Sequence, residues 1–273
     1  MKVCLDPGHG GYDTGAVGNG LQEKDITLDV CLSLKPMLED NGIRTILTRD
    51  GDYAPGHLEG DINGELRARV DIAEKNAVDL FVAIHINAGG GTGVEVLVAG
   101  LGGRAETAAN KVLPYLVQVG GWANRGVKTQ NIFVLQETSM PAILTENGFI
   151  DMATDAAKLK DPNFRHALAL AHAKGICDFF GVQYTEGEND VLEVAVLLFT
   201  KEDYWAGTDV AAKNGDCAVF IRPADLSVPK DAMSAKKLIV IGGSTTNHPN
   251  EVLLSGNSKY DTAAAVAKYL GQG

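Results

Sequence analysis

Short apolar segments alternate with segments of helical periodicity along residues 2–180. The segments Lys2–Leu5 and Leu80–Ile86 are short and continuously apolar, which is typical of strands that are buried on both faces. Between such strands, apolar residues recur every three or four positions, as they do from Ile26 to Met37. Strands that are separated by helices indicate βαβ units. The sequence therefore predicts an α/β fold with a largely parallel twisted sheet that carries helices on both faces.

The remaining elements of this region follow from the same periodicities. Further strands are predicted at 43–48, 93–99, 132–135 and 142–145, and further helices at 65–76, 103–119 and 162–180. In sheets of this kind, active sites collect at the carboxyl ends of the strands. Polar residues that follow the predicted strands are therefore the first candidates for chemistry.

A polar, acidic segment, Tyr184–Asp190, separates two hydrophobic regions of the chain. The 273 residues also exceed what a single hydrophobic core comfortably organises. We therefore predict a first domain at 1–182, a linker at 183–190 and a second, smaller α/β domain at 191–273. The second domain is predicted to contain strands at 191–199, 217–221 and 237–241 and a helix at 262–270.

Charge and composition exclude several classes of partner. The chain has 24 Lys and Arg against 35 Asp and Glu, a formal net charge of -11, so it would repel a nucleic-acid backbone. No apolar run reaches the roughly 18 residues that span a bilayer, so membrane insertion is not expected. The four cysteines lie far apart within apolar stretches and are predicted to be buried thiols rather than metal ligands or disulfides.

Two polar residues near the start of the chain are candidates for a site. His9 lies in the glycine-rich loop Asp6–Gly11 directly after the first strand, where the backbone can bend closely around a ligand. The alternative is that this loop is only a turn. Glu23 begins the next helix, where an acidic side chain can equally serve to complement the helix dipole.

Two further candidates end apolar strands. His85 falls near the end of the run Leu80–Asn87, where an imidazole without a partner would be costly, although a core histidine that is bonded to a backbone carbonyl is an equal alternative. Glu146 ends the strand that begins at Ala142, and a carboxylate there needs a metal, a cation or a catalytic use.

Together these four residues place two imidazoles and two carboxylates at one end of one predicted sheet. Two His and one Glu are a known ligand set for catalytic zinc, with the fourth position left open for water or substrate. The remaining glutamate could then act as a general base. The sequence therefore predicts a zinc hydrolase.

Six segments in order over residues 1–180 carry a resemblance to a known family. They are DPGHGG, the Glu23-Lys24-Asp25 element, TRDGD, RARVDIAEKN, LFVAIHINA and PAILTENGFID. Together they resemble the zinc-dependent N-acetylmuramoyl-L-alanine amidases, a family that includes bacterial cell-separation amidases and many phage endolysins. The resemblance implies one zinc ion per chain, held by His9, Glu23 and His85, with Glu146 as the catalytic glutamate. It also implies the substrate, which is the amide between the lactyl group of N-acetylmuramic acid and L-alanine in bacterial peptidoglycan.

A few residues depart from the pattern of this family or lie outside it. Ala83, Asn147 and Asp151 differ from the commoner residues at their positions, and the contacts to substrate are therefore left open. Arg69 matches a frequent family arginine, for which we predict a structural salt bridge. The other histidines match no motif and are predicted to be surface or packing residues: His57, His166, His172 and His248.

The second region resembles a bacterial cell-wall-binding repeat of clostridial surface proteins. The resemblance rests on the segments Leu238–Gly243 and Leu254–Ala264, with Lys259 in place of the usual arginine. It implies that this domain binds a secondary cell-wall polymer. Such repeats commonly occur in threes and this chain has one, so either one copy suffices or self-association into a homo-oligomer supplies the others. The alternative is an appended domain that only stabilises the enzyme.

These features predict a phage or prophage endolysin that is made in the host cytoplasm without a signal peptide and acts on the cell wall after release. The opening segment Met1–Asp6 is a strand rather than a secretion signal. Three alternatives remain open: a secreted host autolysin whose leader is missing from this chain, a zinc peptidase of the stem peptide, and a non-catalytic protein that binds cell walls.

Overall fold

The computed structural model describes residues 1–56, 62–186, 192–215, 217–223 and 226–271. Within these ranges the chain forms two compact units, unit 1 (Met1–Thr185) and unit 2 (Glu186–Gly273). His57 and residues 187–190 of the predicted linker lie outside the described residues.

Unit 1 is built on a six-stranded sheet with the order β4-β1-β5-β8-β6-β7. The strands of this sheet are β1 (Lys2–Pro7), β4 (Arg44–Leu47), β5 (Leu80–Asn87), β6 (Val94–Val98), β7 (Asn124–Thr129) and β8 (Ala142–Phe149), and a small hairpin is formed by β2 (Val17–Gly18) and β3 (Leu21–Gln22). The helices are α1 (Glu23–Asp40), α2 (Ile62–Lys75), α3 (Arg104–Gly120), α4 (Phe133–Gln136), α5 (Ala153–Lys160) and α6 (Pro162–Phe180). Neighbouring strands of the six are parallel except β6 and β8, which are antiparallel.

Alternate side chains of the central strands enter two separate cores. In β5, Val82 and Ile84 pack on one face of the sheet against α1, α3 and α6, while Phe81 and Ala83 pack on the other face against α2 and α4. This explains why the strand is continuously apolar, because both of its faces are covered. The predicted α/β fold with a largely parallel sheet and helices on both faces is confirmed.

Several elements of unit 1 differ from the sequence prediction, and the short strands β2 and β3 and the helix α5 were not predicted. The segment predicted as a strand at 132–135 instead forms α4, whose Val134 and Leu135 are buried against the sheet. A run of four apolar residues fits one turn of helix as well as a strand, and only the tertiary packing decides between them. The strand β7 was not predicted, because it is an edge strand with mostly exposed polar residues and therefore lacks apolar alternation.

Unit 2 contains a four-stranded, fully parallel sheet with the order β10-β9-β11-β12. Its elements are β9 (Ala195–Leu198), α7 (Tyr204–Lys213), β10 (Ala218–Ile221), α8 (Lys230–Ser234), β11 (Leu238–Ile241), β12 (Glu251–Leu254) and α9 (Lys259–Leu270), with a short 3-10 turn at Lys201–Asp203. A second, smaller α/β unit is therefore confirmed. Helices α7 and α8 and strand β12 were not predicted.

Two predictions about composition can be compared with the structure. Cys4, Cys31 and Cys177 are buried free thiols, whereas Cys217 is half-buried. Burial raises the pKa of the Cys4 thiol well above its usual value, so this thiol stays protonated and unreactive. No helix in the described residues is long and apolar enough to cross a membrane.

Candidate metal centre and active site

The four candidate residues meet at the carboxyl end of the sheet of unit 1. His9 follows β1, Glu23 is the first residue of α1, His85 lies near the end of β5 and Glu146 lies in β8. Strands β1 and β5 are neighbours, and His85 pairs directly with Glu146 in the register of β5 and β8. His9, His85 and Glu146 line one cavity of about 290 Å³. The structure therefore brings together residues that lie up to 137 positions apart in the sequence.

His9, Glu23 and His85 present their donor atoms to a common point. His9 Nε2 lies 3.1 Å from Glu23 Oε2, and His85 Nδ1 lies 2.9 Å from Glu23 Oε1. The ligand atoms of the three residues all lie within 4.8 Å of one another. A tetrahedral ion with ligands at about 2.0–2.2 Å holds neighbouring donor atoms roughly 3.3–3.6 Å apart. Small side-chain adjustments would therefore fit this set to a zinc ion.

Glycines make the space for these ligands. A Cβ atom on Gly8 would lie 2.4 Å from the His85 ring, and one on Gly15 would lie 2.5 Å from the His9 ring and 2.7 Å from Glu23 Oε2. His9 itself has a φ of 63°, a left-handed conformation that non-glycine residues rarely adopt. Such a conformation persists where the surrounding structure enforces it, often at functional sites.

Backbone and side-chain partners fix the orientation of the ligands. Glu23 accepts hydrogen bonds from the backbone N–H groups of Ala16 and Ile86, both at 2.9 Å, so both of its oxygens are held in place. His9 Nδ1 lies 2.7 Å from a carboxylate oxygen of Asp13. A proton on Nδ1 that is donated to Asp13 leaves the Nε2 lone pair free for a metal ion. Sequence analysis assigned no separate role to Asp13, although this residue follows His9 by only four positions.

Electrostatics favour an ionised ligand set in the described structure. Burial opposes a charged imidazole, but the hydrogen bonds and negative charges of Glu23 and Asp13 outweigh it and raise the pKa of His9 to about 9. Burial likewise opposes a charged Glu23, but hydrogen bonds and charges from His85 and His9 hold the pKa of this carboxyl far below its usual value. Glu23 is therefore ionised, whereas a metal ion that binds here would have to displace a proton from His9.

Glu146 differs from Glu23 although both are carboxylates of the same site. It is half-buried, and its Oε2 atom is buried without a hydrogen-bond partner among the described residues. Burial raises its pKa to about 7, which the charge of His85 opposes and the charges of Glu23 and Glu95 support. A carboxyl group that titrates near neutral pH can both accept and donate a proton.

A cluster of one carboxylate and two cations lies next to Glu146 in the sheet. Glu95 of β6 is the cross-strand partner of Glu146 and is itself flanked by Arg125 Nε at 2.7 Å and by Lys128 Nζ. Burial opposes ionisation of Glu95, but Lys128 and Arg125 outweigh it and lower the pKa of this carboxyl. Sequence reasoning missed this cluster, because Glu95 lies in β6 while both of its cationic partners lie in β7, and none of the three matches the segments used above.

Two buried arginines hold the loop that carries His9. Arg69 pairs with Asp6 at 2.6 Å and with Glu65 at 2.5 Å, and it also donates to the carbonyl oxygens of Pro7 and His9. The salt bridge predicted for Arg69 is thus present and buried.

Arg49 also binds the backbone of this loop. It donates to the carbonyl oxygens of Pro7 and Gly8, both at 3.0 Å, and to that of Lys24 at 2.7 Å. Since Lys24 directly follows Glu23, this side chain ties the loop of one ligand to the helix of another. Sequence reasoning did not single out Arg49, although it lies within the TRDGD segment.

Buried hydrogen bonds connect helix α6, through strand β8, to the strand that carries His85. The fully buried His172 lies 2.8 Å from the carbonyl oxygen of Leu168 through Nδ1 and 3.0 Å from Thr145 Oγ1 through Nε2. Asn147 donates to Thr145 Oγ1 and to the carbonyl oxygen of His85, both at 2.9 Å. Asn147, one of the departures from the family pattern, therefore helps to hold the ligand strand.

The remaining residues that were singled out from the sequence have local environments of their own. Asp151, a second departure, accepts hydrogen bonds from the backbone N–H groups of Gly89 and Gly90 in the loop after β5. His166 is half-buried, and His248 is buried with Nε2 at 2.8 Å from the carbonyl oxygen of Ala235.

Comparison with known proteins gives consistent results over unit 1. Residues 3–178 match the N-acetylmuramoyl-L-alanine amidase family. The chain is 38% identical over 223 residues to the sporulation-specific N-acetylmuramoyl-L-alanine amidase of Bacillus subtilis, covering 81% of this chain and 82% of the relative. This share is more than unit 1 contains, so the similarity extends into unit 2.

Two further comparisons cover mainly the length of unit 1. The endolysin of Bacillus phage SPP1 is 36% identical over 193 residues, covering 68% of each chain. The solved catalytic domain of CwlV, an N-acetylmuramoyl-L-alanine amidase from Bacillus (Paenibacillus) polymyxa var. colistinus, superposes with a TM-score of 0.60 at 32% identity, covering 67% of this chain and 99% of that domain.

Proposed function

Because this chain belongs to the N-acetylmuramoyl-L-alanine amidase family, we propose that unit 1 uses one zinc ion to hydrolyse the amide between N-acetylmuramic acid and L-alanine in bacterial peptidoglycan. The family resemblance of the six sequence segments is confirmed, while the zinc ion and the roles of individual residues are part of the proposal. The observation that carries it is the convergence of His9, Glu23 and His85 donor atoms within 4.8 Å, with Glu146 as the strand neighbour of His85.

In this proposal three residues of the site hold the metal ion and the fourth transfers protons. His9, Glu23 and His85 would hold the zinc ion, which when bound supplies a Lewis acid for the carbonyl group and activates water. Glu146 takes a proton from the attacking water and delivers it to the amide nitrogen as the C–N bond breaks. The products are a free lactyl carboxyl group on the muramic acid and a free amino group on L-alanine. A pKa of about 7 suits Glu146 to both transfers.

The Glu146→Gln variant tests this division of roles. The amide keeps the size of the side chain but cannot accept the proton, so we expect turnover of purified peptidoglycan to fall by about 10²–10⁴-fold, while one zinc ion per chain remains bound. Glu106, which is also half-buried but lies in α3 outside the site, provides the matched control Glu106→Gln, which should leave both properties unchanged. Full activity of the Glu146→Gln variant would refute the catalytic role.

For unit 2 we propose binding to a secondary polymer of the cell wall. Support comes from the resemblance of Leu238–Gly243 and Leu254–Ala264 to a wall-binding repeat. Co-sedimentation of the full chain with intact cell walls tests this directly, and light scattering of the same sample shows whether the chain self-associates. A chain that stays in the supernatant under conditions where unit 1 is inhibited by a chelator would contradict wall binding by unit 2.

For the biological role we propose a phage or prophage endolysin that reaches the wall after release from the host cytoplasm. The similarity to the phage SPP1 endolysin supports this role, while the similarity to a sporulation-specific amidase keeps a bacterial role as the second candidate. Expression of the complete reading frame that encodes this chain, in a Gram-positive host, distinguishes the two. We expect lysis only after the membrane is permeabilised, whereas export without permeabilisation would favour the autolysin.

A further inference from the structure

The strand order of unit 2 creates a crevice at one particular place. Strand β9 comes first in the chain, the next strand β10 lies on one side of it, and β11 then lies on the other side. In open parallel sheets, a crevice forms where the connections from two adjacent strands run to opposite sides, because the loops at the carboxyl ends of these strands then move apart. Ligands bind in this crevice. In unit 2 this switch point lies between the ends of β9 and β11.

A cavity of about 630 Å³ lies at this switch point. Phe199 and Thr200, which follow β9, and Gly242 and Gly243, which follow β11, line it together with the first turn of α9. This volume is within the range of sites that enclose a small molecule or one to two sugar rings. The cavity is therefore where the topology predicts a ligand.

The floor of the cavity depends on glycine. Gly242 and Gly243 have φ values of 75° and 66°, and a Cβ atom on Gly243 would lie 2.3 Å from the Phe199 ring. A side chain at Gly256 is excluded as well, since a Cβ atom added there would lie 2.2 Å from the Cβ atom of Asp261. The close backbone packing keeps the cavity open, and larger residues at these positions would fill it or force it apart.

The walls of the cavity carry large exposed aromatic side chains. Trp205, in the first turn of α7, is 58% exposed and Tyr260, in the first turn of α9, is 74% exposed. Exposed aromatic side chains that lie together at one cavity, unlike single ones on a surface, are typical of a binding site. Within the described residues, the side chains of Trp205 and Asn257, another lining residue, have no hydrogen-bond partner.

The charges of the lining disfavour an anionic ligand. Glu202 and Asp203 contribute two carboxylates, while Lys259 is the cation among the lining residues and its Nζ lies 5.2 Å from the centre of the Tyr260 ring. Asp203 is already engaged by Thr200, whose Oγ1 and N lie 3.1 Å from its Oδ2. A phosphate group would meet a net negative surface here. Uncharged hydroxyl and amide groups of a ligand can instead donate hydrogen bonds to the carboxylates of the lining, and they can both donate to and accept from its side-chain amide.

We propose that this crevice binds a saccharide unit of the bacterial cell wall. The C–H faces of a sugar ring pack on the Trp205 and Tyr260 rings, while its hydroxyl or N-acetyl groups bond to Asn257 and Glu202. This inference rests on the proposed wall binding by unit 2 and specifies the site and the ligand chemistry. The saccharide can belong to the peptidoglycan glycan strand or to a polysaccharide attached to it.

Co-sedimentation of full-length Trp205→Ala and Tyr260→Ala variants with Gram-positive cell walls tests the site. Because aromatic residues at the centre of an interface contribute most of its affinity, we expect each substitution to weaken binding about tenfold or more. Tyr204→Ala is the matched control: Tyr204 is 56% exposed and adjacent to Trp205, but it does not line the cavity. It should bind as the unsubstituted chain does.

Three further readouts distinguish the possible outcomes. Walls extracted with hydrofluoric acid lose phosphodiester-linked polymers, so loss of binding to them assigns the saccharide to such a polymer, and retained binding assigns it to the glycan strand. Hydrolysis of a soluble muropeptide should be unchanged in all three variants, which shows that unit 1 is intact. Binding should also shift the emission of Trp205, one of only two tryptophans in the chain.

Failure of this inference can be separated from failure of the proposed function. If the unsubstituted chain does not bind walls at all, the proposed role of unit 2 is wrong. If it binds and both cavity variants bind equally well, the crevice is not the site. Conversion of an oligomer to monomers by Trp205→Ala, as seen by light scattering, would also overturn the inference, because this face would then be an interface between copies of the chain.

Discussion

Units 1 and 2 both have a candidate site at the carboxyl ends of parallel strands. The side chains of the first site are fixed by buried partners, whereas those of the second site are exposed. In unit 1 the candidate ligands are fixed by buried partners, such as Asp13 for His9 and two backbone N–H groups for Glu23. In unit 2 the crevice is lined by exposed side chains such as Trp205 and Tyr260. Catalysis requires donors held to within a fraction of an ångström, whereas binding to a polymer surface tolerates mobile side chains.

The largest expected effect is a loss of zinc binding and activity in unit 1 that leaves wall binding by unit 2 unchanged. The His85→Ala variant removes one proposed zinc ligand, so we expect loss of the bound zinc and loss of wall lysis by at least about a thousandfold. Binding of the same variant to walls through unit 2 should remain within about twofold of the unsubstituted chain, since His85 lies in unit 1.

Metal analysis and co-sedimentation of the same preparation check this prediction. The half-buried His166→Ala substitution on α6 is the control and should keep both zinc and activity. Equal loss of wall binding and lysis in the His85→Ala variant would show that the two units do not act separately.

The next effect concerns the buried arginines of unit 1. Arg69→Met leaves Asp6 and Glu65 buried without their cation, so we expect the free energy of unfolding of unit 1 to fall by about 3–5 kcal/mol. Arg67→Met, in the same helix, removes a pair with Glu137 in which the Arg67 side chain is 50% exposed. That control should cost no more than about 1 kcal/mol.

Denaturant unfolding monitored by circular dichroism measures both substitutions. Similar losses for Arg69→Met and Arg67→Met would mean that the ion pairs under the His9 loop do not stabilise unit 1 more than surface pairs do. A loss that appears only in the transition of unit 2 would also contradict the prediction, because both arginines lie in unit 1.

A pH effect is expected from the fully buried His172. Burial lowers its pKa to about 4, which a hydrogen bond to the Leu168 carbonyl group only partly offsets. The unfolded chain, with an ordinary histidine pKa near 6.5, binds more protons than the folded chain between these values. The free energy of unfolding should therefore be fully retained above pH 6.5 and fall by about 3 kcal/mol as the pH drops from 6.5 to 4.

The slope attributable to His172 is measured by comparison with His172→Gln, which cannot gain the proton. Carboxyl groups contribute equally to both proteins in this range, so the difference between the two pH profiles isolates the imidazole. Parallel profiles for the two proteins would show that His172 is not buried in its neutral form.

The smallest effect is expected at Asp13, which orients His9 without serving as a ligand in the proposed set. Asp13→Asn should weaken zinc binding by about 10–100-fold, because partners of ligand histidines typically contribute this much. Asp25→Asn, an exposed carboxylate in the first turn of α1, is the matched control and should leave the zinc affinity unchanged. Competition titration with a zinc chelator measures both, and equal affinities would remove Asp13 from the site.

Sequence reasoning singled out the four candidate residues of unit 1 because each lies near the end of a predicted strand or at the start of a predicted helix, within a recognisable segment. Supporting residues were harder to assign, since the contacts of Glu95 with Arg125 and Lys128 join separate strands whose order was unknown. The strand β7 was missed because an edge strand need not alternate apolar and polar residues.

In unit 2, sequence reasoning predicted three of the four strands but not the crevice. The crevice depends on β9 lying between β10 and β11, and periodicity does not reveal the order of strands in a sheet. Helix α7, which carries Trp205, was also missed, because its buried face consists mostly of small residues such as Ala206, Gly207 and Ala211. Small residues give only a weak apolar stripe.

End-group analysis of the products released from purified peptidoglycan tests the proposed chemistry most directly, with the protein assayed as zinc-loaded and as chelated samples. We predict that the zinc-loaded chain releases new amino termini that are L-alanine alone, and that the chelated chain releases none until zinc is restored. New amino termini from within the stem peptide, or L-alanine termini produced equally well by the chelated chain, would contradict a zinc-dependent amidase.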